Sequence, residues 1–302
     1  MNENTDALKL KIQELLRKEI TKFSLKGKGY CNNAYYVETR DEGKYIVKKE
    51  ITGEGANKQE NNLSVEARVI QQLYTRGLSI SVPHIIFVSE DPKMFAYEYI
   101  EGNMMMGEWD SFSEDQKISV CQALGRFHAE IGKNFSKEMA KDTGIKLDES
   151  ADVHPEVTNE YSKLIVALDV PDDFKILAKE AKVIFAGTLD RAVFQFIHND
   201  SHHENIITQN KKISGIIDFG AAEYGEVAKE FSRYIRDYPD YFQYIVSAYE
   251  KKSGNNLSYD RLVSGALLCG FMEIVDDYRK GGQDRAKAEK AIATYRKLLS
   301  VQ

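Results

Sequence analysis

The period of apolar and polar positions changes along this chain. Residues 33–39 and 44–48 are rich in Tyr, Val and Ile and flank Arg40-Asp41-Glu42-Gly43, a pattern that predicts a β-hairpin. Glu66, Val69, Ile70, Leu73 and Tyr74 then recur at helical spacing, and Gly77 closes that run. Residues 85–88 and 94–99 read as two further strands joined through Asp91-Pro92. Beyond residue 112 the spacing is mostly helical: Val120, Ala123, Leu124, Phe127 and Ile131 form one apolar stripe, and the C-terminal stretch carries more. Strands first and helices afterwards predict an α+β chain rather than alternating βαβ units.

The segment richest in chemistry is His198-Asn199-Asp200-Ser201-His202-His203-Glu204-Asn205, followed by Gly215-Ile216-Ile217-Asp218-Phe219-Gly220. Its order is His-x-Asp, four residues, Asn, and then Asp-Phe-Gly, the arrangement that phosphoryl transfer uses. The incoming hydroxyl must be aligned, and the crowded charge of the phosphates needs metal ions held by oxygen ligands. Asp200 is expected to orient the hydroxyl and take its proton. Asn205 and Asp218 are expected to hold Mg2+, with a strand over 213–217 presenting Asp218. His198, His202 and His203 leave a transition-metal site open, although no cysteine lies nearby and the carboxylate and amide oxygens suit magnesium better. His198 is otherwise read as bracing the loop, His202 and His203 as loop surface, and His128 as a hydrogen-bonded core residue.

Upstream, Gly27-Lys28-Gly29-Tyr30-Cys31-Asn32 precedes the hairpin where a phosphate-covering loop belongs, with Gly27 and Gly29 giving the backbone its freedom. In the second hairpin strand, alternation puts Ile46 and Lys48 on one face, an apolar wall under a base and an ammonium beside phosphates. Lys49 holds the rival position, since a slip of one residue exchanges the faces. Glu66 shares its helix face with apolar residues, where a carboxylate needs a cation, and Lys48 is the obvious one. Residues 95–102 end a strand in a glycine-marked turn. The backbone of Glu98 and Ile100 could pair there with a purine edge, with Tyr97 at the back of the site.

Together these residues resemble the aminoglycoside phosphotransferase family, whose members share the protein-kinase fold and phosphorylate antibiotics, choline, homoserine and other small hydroxyl compounds. The likeness spans residues 25–231 and is carried by Ile197 to Asp200, Asn205 to Ile207 and Gly215 to Gly220, with Lys48, Glu66 and residues 97–102 in support. It implies a bilobal protein-kinase-like fold: a β-rich N-lobe over 1–97 that binds nucleotide, and a mainly helical C-lobe over 98–302 that carries the catalytic loop and the acceptor-binding helices. ATP or GTP would be the phosphoryl donor. Asn199 stands where many members have Gly and is similar to choline kinases and some aminoglycoside phosphotransferases. Gly225-Glu226-Val227-Ala228-Lys229-Glu230-Phe231 departs from the usual Gly-Asp-Pro and Asp-Leu-Ala, and Glu230 is read as bracing the catalytic loop in place of Asp.

Composition narrows the partners. With a net charge of −6 over 302 residues, there is no basic patch to hold nucleic acid, and a neutral or cationic acceptor is favoured. The start of the chain lacks a basic and apolar leader and no long apolar run occurs, so no membrane partner and a cytoplasmic location are expected. Cys31, Cys121 and Cys269 are odd in number and far apart, which argues against a disulfide framework. Glu273, Asp276 and Asp277 fall on one helical face, and with Glu223 or Glu226 they would suit a polycationic acceptor such as an aminoglycoside; a solvated face relieved by Arg279 and Lys280 is equally open. Tyr238, Tyr241, Phe242 and Tyr244 offer an aromatic cage for a quaternary ammonium, or core. A nucleotide-binding pseudokinase would normally lack Asp200, Asn205 or Asp218. A protein kinase would need an Ala-Pro-Glu segment, and none is present.

Overall fold

The computed structural model describes residues 5–29, 32–51, 62–91, 93–149, 172–279 and 285–299, without the side chains of 271–279, 285–288, 290, 291 and 299. The chain opens with helix α1 (Thr5–Leu16), strands β1 (Ile20–Lys28), β2 (Asn32–Thr39) and β3 (Lys44–Glu50), and helix α2 (Leu63–Tyr74). Strands β4 (Ile85–Glu90), β5 (Lys93–Glu98) and β6 (Asn103–Met104) follow, then helices α3 (Glu114–Asn134) and α4 (Lys137–Thr143). Strand β7 (Lys146–Leu147), helix α5 (Asp172–Gly187) and strands β8 (Phe194–Ile197), β9 (Ile206–Gln209), β10 (Lys212–Ile216) and β11 (Glu223–Glu226) come next. The last four are helices α6 (Val227–Asp237), α7 (Phe242–Ser253), α8 (Tyr259–Arg279) and α9 (Arg285–Leu299). These elements sort into two compact units, residues 1–111 with 142–145 and 203–222, and residues 112–141 with 146–202 and 223–302.

In the first unit an antiparallel sheet runs in the order β1-β2-β3-β5-β4. Leu8, Ile12 and Leu16, one turn apart on α1, pack against Val37, Tyr45, Val47, Met94 and Ala96. Each such side chain contributes roughly 1.5–3 kcal/mol when it leaves water. Because strand side chains alternate, covering Tyr45 and Val47 with α1 turns Ile46 and Lys48 to the opposite face. Helix α2 begins with the Asn62 side chain accepting from the amides of Ser64 (3.1 Å) and Val65 (3.4 Å). Its buried stripe of Leu63, Ala67, Val69, Ile70 and Leu73 includes Glu66.

The pairing of the second sheet ties later segments to the first unit. Strand β9 lies between β10 and β6, with Asn103 opposite Thr208, and the Ile216 amide donates to Ser81 O at 3.0 Å. Backbone hydrogen bonds therefore draw residues 203–222, with Asn205 and Asp218, into the first unit.

The second unit is mainly helical. Helix α3 opens with a capping box: Ser113 accepts from the Gln116 amide (3.3 Å) and Gln116 from the Ser113 amide (2.9 Å). It packs tightly on α7 at Gly125, where a Cβ would lie 2.1 Å from Ile245 O, so only glycine permits this approach. Strand β11 runs parallel to β7 and antiparallel to β8. Arg261 on α8 is buried; it grips both oxygens of Glu226, donates to Phe185 O at 2.7 Å and lies over the Phe185 ring. No helix among the described residues is long and apolar enough to cross a membrane.

Candidate active site

The first unit brings together Lys48, Glu66 and Asp218. Lys48 Nζ lies 2.8 and 2.9 Å from the two Glu66 oxygens and 2.8 Å from Asp218 Oδ1. Lys48, not Lys49, is the residue that meets them, which resolves the register. Burial works against the Lys48 charge, but Glu66 and Asp218 outweigh it and hold its pKa above the ordinary lysine range. Burial, opposed by Lys48 and assisted by the Asp218 charge, pushes Glu66 up to about 7. One ammonium thus serves two carboxylates.

Asp218 follows β10 in a left-handed conformation (φ 64°, ψ 68°), and its side chain is 42% exposed, open enough to meet a ligand. Asn205 is on the neighbouring strand end, where its carbonyl accepts from the Ile217 amide at 3.0 Å. A carboxylate and an amide presented from adjacent strand ends form a hard-oxygen donor set, which suits Mg2+ completed by phosphate and water oxygens. In the glycine-containing turn, the Gly29 amide donates to Asn32 O at 2.9 Å, and a Cβ on Gly29 would sit 2.9 Å from that oxygen. A Cβ on Gly27 would meet nothing within 4 Å. Asn32 is buried, and its Oδ1 has no hydrogen-bond partner among the described residues. Ile46 and Tyr97 are buried as well. The Glu98 amide is already used by His84 O (3.0 Å), so Glu98 can offer a base only its carbonyl, whereas the Ile100 amide has no partner among the described residues.

The second unit holds Asp200. Strand β8 delivers His198, Asn199 and Asp200, with Asn199 in the left-handed region (φ 61°). Asparagine tolerates that geometry through its short polar side chain. Asn199→Gly is expected to fold with near-native stability, and Asn199→Val to lose about 1–2 kcal/mol in urea denaturation. The Asp200 amide donates to His198 Nδ1 at 3.2 Å, so His198 braces the loop. Glu230 on α6, also buried, accepts from the Asn199 amide at 2.8 Å and from the Ser201 hydroxyl. Arg233 reaches Asp200 Oδ1 at 2.9 Å, and His202 lies 3.6 Å from the other oxygen. Sequence reasoning missed Arg233. Its signal was its spacing: a helix that brings Glu230 to the loop brings the residue three positions later to the same face.

His128 is buried behind this loop, its Nε2 2.7 Å from Tyr234 Oη, and burial pushes its pKa down to about 3. Below the ordinary histidine value the unfolded chain takes up a proton that the folded chain refuses. Stability therefore falls as pH drops from about 6.5 towards 3, by at most about 1.4 kcal/mol per pH unit for this group. Melting temperatures between pH 7 and 4 should show a shallower acid slope in His128→Gln than in the parent.

The acidic residues proposed for an acceptor divide. Glu223 is buried, with Lys229 at 2.6 Å and Lys146 at 3.7 Å, and Glu226 is gripped by Arg261. Neither is an open carboxylate, because internal cations neutralise both. Glu273, Asp276 and Asp277 fall on α8 but their side chains lie outside the described residues. Tyr238 and Phe242 are buried in the helical core and the Tyr241 hydroxyl donates to Glu114 at 2.6 Å, so these aromatics do not form an open cage.

The sequence profile of the phosphotransferase enzyme family matches residues 23–255. The chain belongs to that family. Among curated proteins none matches the sequence significantly. Among solved structures, the GDP complex of wild-type aminoglycoside 2'-phosphotransferase-IIIa is 14% identical with a TM-score of 0.67, covering 99% of each chain. The apoenzyme of macrolide 2'-phosphotransferase MphH from Brachybacterium faecium is 15% identical with a TM-score of 0.66, over 96% of this chain and 98% of that one. The gentamicin complex of APH(2")-IIa is 18% identical with a TM-score of 0.62, over 100% and 98%. This phosphotransferase therefore has the protein-kinase-like fold, an antiparallel N-terminal sheet followed by a helical C-terminal region. As a member of the family it acts on hydroxyl groups of small molecules.

Proposed function

We propose that the enzyme transfers the γ-phosphoryl group of magnesium-bound ATP or GTP to a hydroxyl of a cationic, polyhydroxylated small molecule, an aminoglycoside being the leading acceptor. The observation that carries the nucleotide half is the Lys48 ammonium held between Glu66 and Asp218. Lys48 would bind the α- and β-phosphates, and Asn205 and Asp218 would hold Mg2+, which supplies charge neutralisation at the phosphates. Asp200 aligns the acceptor hydroxyl. As the new P–O bond forms, the bond to the β-phosphate oxygen breaks and the acceptor proton passes to Asp200. Gly27, Gly29 and Asn32 cover the phosphates, while Ile46, Tyr97, the Glu98 carbonyl and the Ile100 amide receive the base.

Support for the acceptor comes from structural relatives crystallised with kanamycin and gentamicin. It comes also from the spacing of Glu273, Asp276 and Asp277, which suits ammonium groups. The test is turnover of kanamycin, gentamicin and streptomycin beside choline, homoserine and a hexose, each with MgATP and MgGTP. Aminoglycoside turnover, with resistance when the gene is expressed in a susceptible bacterium, is the expected result. Turnover of choline, homoserine or the sugar alone removes the antibiotic reading and leaves the kinase chemistry.

A further inference from the structure

The two oxygens of Glu230 are taken by the residues on either side of Asp200. Oε2 accepts from the Asn199 amide at 2.8 Å and Oε1 from the Ser201 hydroxyl. Ser201 and Glu230 are 0% and 1% exposed, so water does not supply these bonds. A carboxylate shut away from solvent needs donors, and in this one the donors are the catalytic loop itself. A backbone amide before Asp200 is available whatever side chains stand here. The donor after it exists only because residue 201 carries a hydroxyl, and it meets its acceptor only because residue 230 is long enough to reach both. The neighbouring His128, 3.9 Å from Glu230 and bonded to Tyr234, adds no positive charge to the cluster because burial keeps it neutral.

We propose that Ser201 is a positioning residue, its hydroxyl and the Glu230 carboxylate closing a clamp across Asp200 that fixes both flanking residues and with them the angle of the Asp200 carboxylate. The proposal rests on the reading of Asp200 as the residue that aligns the acceptor. Small misplacements of such a group are costly to rate while leaving binding intact, and this separates positioning from a merely structural role. Neither Ser201 nor Glu230 is among the residues proposed to bind the nucleotide, so nucleotide affinity is not the clamp's readout.

Ser201→Ala, Ser201→Thr and Asp200→Asn are to be compared with the parent, using MgATP with kanamycin and, in its absence, with water as the acceptor. For Ser201→Ala, kcat is expected to fall about tenfold or more, with the nucleotide KM within about twofold of the parent. Amide exchange followed by mass spectrometry should accelerate in the peptide over 196–204 and not elsewhere. Ser201→Thr, which restores the hydroxyl, should recover most of the rate and the protection. Unchanged kcat and exchange in Ser201→Ala overturn the proposal, as does a kcat loss that comes only with lost nucleotide binding and a lowered Tm. A folded Ser201→Thr that remains as slow as Ser201→Ala also overturns it. If the threonine methyl prevents folding, or if neither acceptor is turned over, exchange in the folded Ser201→Ala protein decides. Should Asp200→Asn keep its turnover, the Asp200 reading itself falls; loss in Asp200→Asn with none in Ser201→Ala removes only the clamp.

Discussion

Asp200→Asn is expected to lower kcat by a factor of at least about 100, while nucleotide affinity stays within about twofold. The substitution keeps the size and one hydrogen-bonding oxygen of the side chain but removes its charge and its capacity to take a proton. The Asp200 amide on His198 and the clamp from Glu230 act on the backbone, so the loop should keep its shape. Arg233 would lose its ionic partner, and its guanidinium, about one-third exposed, can turn to water. Steady-state rates with an acceptor found in the panel, together with calorimetric nucleotide titration, check the prediction. Near-parental turnover would place the aligning group elsewhere.

The second large effect is at Asp218. Asp218→Ala should abolish magnesium-dependent nucleotide binding, whereas replacing His202 and His203 together should leave it intact. The proposed oxygen ligand that carries full negative charge would be lost, and Lys48 would lose one of its two anionic partners and turn wholly to Glu66. Removing the Asp218 charge also takes away one of the influences that raise Glu66, so Glu66 should ionise at lower pH in the variant. Calorimetric titration with ATP and GTP, with and without magnesium, separates the outcomes. Binding lost in the double-histidine protein and kept in Asp218→Ala would point to a transition-metal site.

Much of the candidate site was legible because it is local in sequence. Asp200, Asn205 and Asp218 lie within one short stretch, and Glu66 betrayed itself as a carboxylate in an apolar helical stripe. The choice between Lys48 and Lys49 was not legible, since period-two alternation has no origin until something covers one face; α1 supplies it by packing on Tyr45 and Val47. Helix α1 itself was hidden because Leu8, Leu10 and Ile12 alternate as a strand would, while Leu8, Ile12 and Leu16 recur as a helix does. Strand β1 was hidden for the opposite reason: most of its residues are exposed or half-buried, and no buried face imprints a pattern on it. Glu223 and Glu226 looked open because their partners, Lys146, Lys229 and Arg261, arrive from other elements. Charge pairing across a fold leaves no mark in one sequence.

The grip of Arg261 on Glu226 bears on how this sequence can drift. Losing either member alone strands a buried charge, at a cost of about 3–5 kcal/mol, a large share of the stability of an ordinary domain. A lineage carrying this pair cannot easily change residue 226 by single steps, because the intermediate bears that destabilisation. The two positions should be inherited as one character, present together or replaced together by apolar residues. Sequences that keep Glu at 226 with an uncharged residue at the place of Arg261 should therefore be rare among its descendants, whatever acceptor they have come to phosphorylate.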